Sequence, residues 1–316
     1  MFLEAGYRGL NEIWRYGLGI FIVLIGYFLG QIPLFLVQYS KIQSNPEIGG
    51  DALREFEKTM DFTLLDMNKN VGFFLLVLMF FFAFAALVIV ISKLHNKKVK
   101  DTIAPDRPID VKRIIFGFGF WFVLSVGIEF IFYLIHPEQY RLTINWINFI
   151  PLFFIAIFML PVQTSFEEIF FRGYIMQGVS VYASNKWVPI LVSSIAFGMM
   201  HSMNPEIEKF GMVTMQTYYI LAGLFLAVIT VMDDGLELAL GVHAATNIFG
   251  ALLISYDGSV LQTDSLAKTS DVNPYLMIVG LCISIIIFLW VASKKYNWKS
   301  FDFLISKLNP QGEPQV

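Results

Sequence analysis

The sequence has one cysteine, four histidines and few charged residues: only 15% of its 316 residues are Asp, Glu, Lys or Arg. Soluble domains carry about 25% charged residues. The single cysteine, Cys282, excludes a disulfide framework and a cysteine-based metal site. No basic cluster has the density of a nucleic-acid-binding surface, so we expect no nucleic-acid partner.

The sequence is instead rich in long hydrophobic runs. Hydrophobic residues make up 56% of the chain, and its mean hydropathy is +0.64. A spanning helix needs about 20 mostly apolar residues. The sequence therefore predicts an all-α polytopic membrane helix bundle of about eight transmembrane helices, with the lipid bilayer as its surroundings. The predicted spans are residues 17–39, 71–92, 114–135, 149–180, 187–201, 216–232, 236–256 and 274–293.

The positive-inside rule gives these spans an orientation. The segment between the second and third spans is rich in Lys and Arg, so we place it in the cytoplasm, which puts both termini on the same side. The cytoplasmic side then carries about twice as many Lys and Arg residues as the other side. Residues 41–70 become an extracytoplasmic segment, in which Phe56, Met60, Phe62 and Leu65 suggest a helix lying in the membrane interface.

Two adjacent carboxylates and an arginine occur inside the fourth predicted span. Each ionised group at the centre of a membrane helix costs about 2.5–3.5 kcal/mol on insertion scales, so these groups need compensation. Residues four apart share a helix face, which allows Glu168 to pair with Arg172. Glu167 is rotated by about 100° from Glu168 and is left free for chemistry.

Two later spans also carry polar side chains. His201 ends the fifth span, four residues after Phe197, while His243 and Asn247 share one face of the seventh span. Taken singly, each is most simply a packing or interhelical hydrogen-bonding residue.

Other acidic residues have plainer interpretations. Glu129, near the outer end of its span, is expected to pair or to reach the interface. Asp233, Asp234 and Glu237 are expected to form a solvated turn at the cytoplasmic side.

The polar residues taken together resemble the three motifs of the CAAX-protease and bacteriocin-processing (CPBP, or Abi) family of intramembrane endopeptidases. The matching stretches, in order, are Glu167-Glu168-x-x-x-Arg172, Phe197-x-x-x-His201 and His243-x-x-x-Asn247. The resemblance covers about a third of the chain. It divides the sequence into N-terminal transmembrane helices (1–148), a catalytic helical core (149–256), and a C-terminal helix with a cytoplasmic tail (257–316).

The resemblance implies a role for each residue. Glu167 would be the general base, His201 would help to position and deprotonate a water molecule, and His243 and Asn247 would donate hydrogen bonds to the oxyanion. Glu168 and Arg172 would support the helix. The same atoms leave zinc open as a cofactor, with Glu167, His201 and His243 as a His₂Glu ligand set.

The expected activity is hydrolysis of a peptide bond in a peptide or protein substrate, which can be membrane-anchored or lipidated. We expect a bacterial plasma membrane as the location. Two alternatives remain open: an ion-coupled transporter with a Glu/His proton relay, and a non-catalytic immunity or scaffold protein. Neither inverted repeats nor paired broken helices, which would favour a transporter, are convincing in the sequence.

Overall fold

A computed structural model describes residues 1–46 and 48–308, most of which are helical. The α-helices are α1 (Ile13–Ser44), α2 (Gly50–Thr59), α3 (Lys69–Ile89), α4 (Val111–Ile135), α5 (Trp146–Glu168), α6 (Gln177–Ser180), α7 (Trp187–Met200), α8 (Pro205–Phe210), α9 (Met212–Met232), α10 (Glu237–Leu252) and α11 (Pro274–Lys295). Three short strands, β1 (Tyr140–Leu142), β2 (Ile254–Tyr256) and β3 (Ala267–Thr269), form one sheet in the order β1-β3-β2. β3 is antiparallel to β1 and parallel to β2.

Among the described residues, six helical segments are long and apolar enough to cross a membrane, which makes this an integral multi-pass membrane protein. They are Ile13–Ser44, Lys69–Leu94, Val111–Ile135, Trp146–Ser180, Met212–Met232 and Pro274–Lys295. The other two predicted spans correspond to α7 and α10, with 14 and 16 residues. At 1.5 Å per residue these are about 21 and 24 Å long, less than the roughly 30 Å of a hydrocarbon core.

Several spanning helices begin at an asparagine that the sequence places directly before an apolar run. The side chain of Asn68 accepts hydrogen bonds from the first backbone N–H groups of α3. Asn145 does the same for α5, and Asn273 for α11. These caps satisfy donors that would otherwise be unpaired at the helix start.

The fourth predicted span is one continuous helical segment, Trp146–Ser180, but it changes character directly after the acidic pair. Residues Ile169–Met176 form a π-helix between α5 and α6. Such widened turns are rare and frequently occur at functional sites. Gly173 lies within this stretch, where an added Cβ would meet the side chain and the carbonyl oxygen of Thr102 at 2.7 and 2.8 Å.

The loops fall into two groups, one at each end of the bundle. At one end, here called the basic end, lie residues 1–12, 93–110, 181–186, 233–236 and 296–308. They are tied together by bonds such as Arg8 to Asp101 and Lys186 to Ser306. The other end, here called the sheet end, holds residues 45–46, 48–68, 136–145, 202–211 and 253–273. This grouping matches the predicted alternation of the spans, while the cytoplasmic location of the basic end stays a prediction.

The segment expected to lie in the membrane interface is instead folded onto the sheet end. It contains the ten-residue α2 and a 3₁₀ turn, Phe62–Leu65. Phe56, Phe62 and Leu65 are buried in a cluster with Leu34 of α1. Their apolar side chains therefore face protein, because the ends of α1 and α3 provide a surface for them.

α10 is the most enclosed of the helices that carry the site, with most of its residues buried. It packs against α4 at two glycines. An added Cβ on Gly117 would lie 2.6 Å from the carbonyl oxygen of Leu238, and one on Gly241 would lie 2.1 Å from that of Ile114. Only glycine allows the two backbones to come this close.

The expectation that Asp233 and Glu237 are solvated is wrong. The side chains of both are fully buried at the basic end, next to the start of α10. Arg107 donates to both carboxylate oxygens of Glu237, and Arg113 donates to Asp233. The indole N–H of Trp298 also donates to Asp233, at 2.9 Å. The two acids thus fix the beginning of α10 against the loop before α4.

Candidate active site

A fully buried ion pair lies at the centre of the bundle. Arg172 donates to Glu168 Oε1 at 2.8 Å, and both side chains are 0% exposed. The second nitrogen, Nη2, donates to the carbonyl oxygen of Gly223 on α9, at 3.1 Å. The guanidinium also lies 4.5 Å from the ring centre of Phe197 on α7. The pair therefore joins three helices.

Glu168 has a second partner, His243 on α10. Its Oε1 lies 2.7 Å from His243 Nδ1. Because an ionised carboxylate can only accept, Nδ1 must carry the proton. The Glu168 carboxylate thereby fixes both the ring orientation of His243 and which nitrogen, Nε2, is left for the site.

His201 is held in a similar way at the end of α7. Its Nδ1 lies 2.7 Å from the carbonyl oxygen of Phe197, so Nδ1 again donates and Nε2 is left for other partners. The imidazole is packed between two rings. The Phe197 ring centre lies 4.5 Å away and that of Tyr219 lies 4.4 Å away, the latter stacked at 26°.

Glu167 faces a different side of the helix from Glu168 and is 7% exposed. Gln163, one turn earlier on α5, donates to its Oε1 at 3.2 Å. Its Oε2 lies 3.7 Å from His243 Nε2, beyond hydrogen-bonding distance. His201 lies within electrostatic range of both Glu167 and His243.

Asn247 follows His243 by one turn on α10 and is half-buried. Its side-chain amide has no hydrogen-bond partner within residues 1–46 and 48–308. The structure thus brings His201 and His243 against the Phe197 ring, at 4.5 and 5.8 Å between ring centres, and places Glu167 beside His243. Asn247 shares the helix face of His243, and within the described part of the chain it forms no hydrogen bond with Glu167, His201 or His243.

Sequence reasoning missed the side chains that hold these groups in place. Gln163 lies outside the three motifs, although its four-residue spacing from Glu167 was a signal for a direct contact. Tyr219 gave no signal, because its stacking on His201 depends on how α9 packs against α7.

Near His201 lies a second carboxylate, Glu206 on α8, outside the spanning helices. Glu206 is 4% exposed, and its Oε1 accepts from the backbone N–H of Val260 at 2.8 Å. Its neighbours include Tyr219, whose hydroxyl oxygen accepts from Asn204 Nδ2 at 3.2 Å. Burial raises the pKa of the Glu206 carboxyl above its ordinary value, because the charged form loses hydration.

This burial predicts a pH-dependent stability. In the unfolded chain Glu206 loses its proton near pH 4.3, before the folded protein does, so folding stability should fall as the pH rises from there through the raised folded pKa. We expect Glu206→Gln, which keeps the acceptor for Val260, to remove this loss. The measurement is the thermal midpoint in detergent between pH 4.5 and 8. Glu208→Gln, at an exposed residue of α8, should keep the wild-type pH dependence, and an unchanged slope in Glu206→Gln would contradict the assignment.

The residues expected as zinc ligands do not come together as a metal site in this structure. Glu167, His201 and His243 do not form a group compact enough to hold a metal ion, and no other such group of three His, Cys, Asp or Glu side chains occurs in the part of the chain that is described. We therefore derive no step of the reaction through a metal.

Comparison with known proteins supports a single family. A family model described as type II CAAX prenyl endopeptidase Rce1-like matches residues 146–249, which contain all the residues of the site. The uncharacterised protein YyaK of Bacillus subtilis (strain 168) is 31% identical over 256 residues, covering 80% of this chain and 82% of YyaK. No solved structure matches the chain significantly. The chain therefore belongs to the Rce1-like type II CAAX prenyl endopeptidase family, known as the CPBP or Abi family.

Proposed function

We propose that this protein is an intramembrane endopeptidase that hydrolyses a peptide bond with a water molecule activated by Glu167. Family membership supports a peptidase and a peptide or protein substrate. The observation that carries the mechanism is the arrangement of Glu167 Oε2 and His243 Nε2, 3.7 Å apart with His201 nearby. Glu167 and His243 therefore lie side by side inside an otherwise apolar bundle.

Glu167 is the group that takes the proton. Its Oε1 is held by Gln163, and its Oε2 lies 3.7 Å from His243 Nε2. A water molecule there loses a proton to Glu167 as its oxygen attacks the carbonyl carbon of the substrate. Glu167 then returns this proton to the leaving nitrogen, so that no serine or cysteine nucleophile is needed. His201, with Nε2 unprotonated, accepts a hydrogen bond from the same water.

His243 and Asn247 serve the carbonyl oxygen of the substrate. Because Nδ1 of His243 donates to Glu168, donation to an oxyanion from Nε2 requires the imidazolium form. Asn247 supplies a neutral donor from the same helix face. Preorganised donors of this kind are worth about 10²–10³ in rate each.

The proteolytic function is tested with purified protein reconstituted in liposomes together with membrane-anchored peptides, some of them lipidated. We expect new peptide termini, identified by mass spectrometry, from the wild-type protein. Ion-coupled uptake into the same liposomes without any cleavage would favour a transporter. Binding without either activity would favour a scaffold or immunity protein.

Metal removal is expected to leave this activity intact. Because no step uses a metal, millimolar EDTA or 1,10-phenanthroline should change the cleavage rate by less than about twofold. The active preparation should contain far less than one zinc ion per chain by elemental analysis. Loss of activity on chelation that zinc restores would contradict the metal-free scheme and reinstate Glu167, His201 and His243 as ligands.

The membrane in question is proposed to be a bacterial plasma membrane, with the basic end in the cytoplasm. The relative YyaK comes from a bacterium, which supports this location. The Lys and Arg residues concentrate in the loops of the basic end, which include residues 1–12 and 93–110. The positive-inside rule requires this of the cytoplasmic end.

A further inference from the structure

Gln163 lies outside the three sequence motifs yet contacts the proposed general base directly. It precedes Glu167 by four residues on α5, and its Nε2 donates to Glu167 Oε1 at 3.2 Å. A carboxylate only accepts hydrogen bonds, so the amide nitrogen must face Glu167 and the amide oxygen must face elsewhere.

That amide oxygen is buried and has no hydrogen-bond partner among the described residues. Leaving a buried acceptor unpaired costs about 1–3 kcal/mol. Buried polar atoms without a partner are uncommon, and each calls for an explanation. The amide oxygen belongs to a side chain that contacts Glu167, so the attacking water can supply the missing donor.

We propose that Gln163 binds the attacking water: its amide nitrogen positions Glu167, and its amide oxygen accepts the water hydrogen that Glu167 does not remove. This inference rests on the proposed peptidase function and extends it to a residue outside the motifs. The chemical requirement is simple, because a water molecule has two hydrogens and one lone pair must stay free for attack.

The proton balance follows from this arrangement. One hydrogen of the water passes to Glu167, and the other stays on the oxygen, hydrogen-bonded to Gln163 Oε1. The oxygen lone pair forms the new bond to the carbonyl carbon, and the carbonyl π electrons move to its oxygen. When the C–N bond breaks, the proton on Glu167 goes to the nitrogen. His201 Nε2 accepts from the same retained hydrogen, which Gln163 Oε1 and His201 Nε2 share as a three-centre hydrogen bond.

A purely structural role for Gln163 is the competing interpretation. Side-chain pairs four residues apart stabilise helices by about 0.2–0.5 kcal/mol, which would explain the contact with Glu167 without any role in the reaction. The two interpretations differ in kinetics. An anchor of the helix affects the amount of folded protein, whereas a water-binding residue affects kcat of the folded protein with little change in KM.

The test compares Gln163→Met with Thr164→Val. Methionine has a similar length and no amide. Thr164 is a buried neighbour whose hydroxyl, among the described residues, hydrogen-bonds only to the carbonyl oxygen of Pro161, at 3.4 Å. For Gln163→Met we expect kcat to fall by about 10- to 100-fold, with KM within about threefold of wild type. For Thr164→Val we expect less than a threefold change in either constant. Rates are normalised to folded protein by size-exclusion chromatography.

Gln163→Glu is the second variant, because it keeps the side-chain length but replaces the amide donor by a carboxyl group that either repels Glu167 or shares a proton with it. It is expected to lose kcat as well. Wild-type kcat in either folded variant overturns the inference, as does an equal loss in Thr164→Val. If the wild-type protein shows no cleavage that depends on Glu167, the proposed function itself is overturned. If cleavage depends on Glu167 but Gln163→Met is unimpaired, the role of Gln163 alone is overturned.

Discussion

Replacing Glu167 by glutamine is expected to lower the rate of peptide hydrolysis by about a thousandfold or more while leaving the protein folded. The amide has nearly the same shape as the carboxylate but cannot accept the proton of the attacking water. General acid–base groups contribute about 10²–10⁴ in rate, and the loss of the base stops the first step. Folding should survive, because the substitution removes a charge from the membrane interior and keeps the side-chain volume.

The measurement is single-turnover cleavage of a membrane-anchored peptide by equal amounts of folded protein. Glu129→Gln is the matched control: Glu129 is also a carboxylate within a spanning helix, and it accepts from the Tyr140 hydroxyl at 2.7 Å, at the sheet end. We expect Glu129→Gln to retain activity within about threefold of wild type. Full activity in Glu167→Gln would remove Glu167 from the reaction.

Replacing Arg172 by methionine is expected to cost about 3–5 kcal/mol of stability, enough to lose most of the folded protein. The change leaves Glu168 buried and charged without its partner, and breaking a buried pair from one side is strongly destabilising. It also removes the donor to the Gly223 carbonyl. The yield of monodisperse protein and its thermal midpoint in detergent report the effect.

Two further variants show whether the loss of stability in Arg172→Met comes from the buried ion pair. Arg54→Met removes the same kind of side chain from the exposed pair with Asp51 and should leave the thermal midpoint unchanged. The double variant Arg172→Met/Glu168→Gln should recover part of the lost stability, because no uncompensated charge remains and the glutamine oxygen can still accept from His243 Nδ1. A fully stable Arg172→Met protein would show that the pair does not support the bundle.

Spacing alone predicted much of the site. Residues four apart share a helix face, which correctly indicated that Glu168 and Arg172 can pair while Glu167 points elsewhere. The apolar runs also predicted the helical bundle. The roles of the site residues stay predictions that the experiments above address, and the cytoplasmic location of the basic end also stays a prediction.

Other features depend on contacts between distant parts of the chain. Asp233 and Glu237 looked solvated because their partners, Arg113 and Arg107, lie more than a hundred residues earlier in the sequence. The second role of Glu168, fixing Nδ1 of His243, depends on how α10 packs beside α5. Likewise, Phe56 was assigned to the membrane interface because nothing in the sequence reveals the pocket that buries it.

The central claim is that Glu167 and His201 act on one water molecule, and the double variant Glu167→Gln/His201→Gln tests it most directly. Groups that act as a unit are strongly non-additive: once one is removed, removing the other costs little more. We predict a single-turnover rate for the double variant within about threefold of the slower single variant. A rate reduced by the product of the two single effects would contradict the account, since it would show that the two residues act independently.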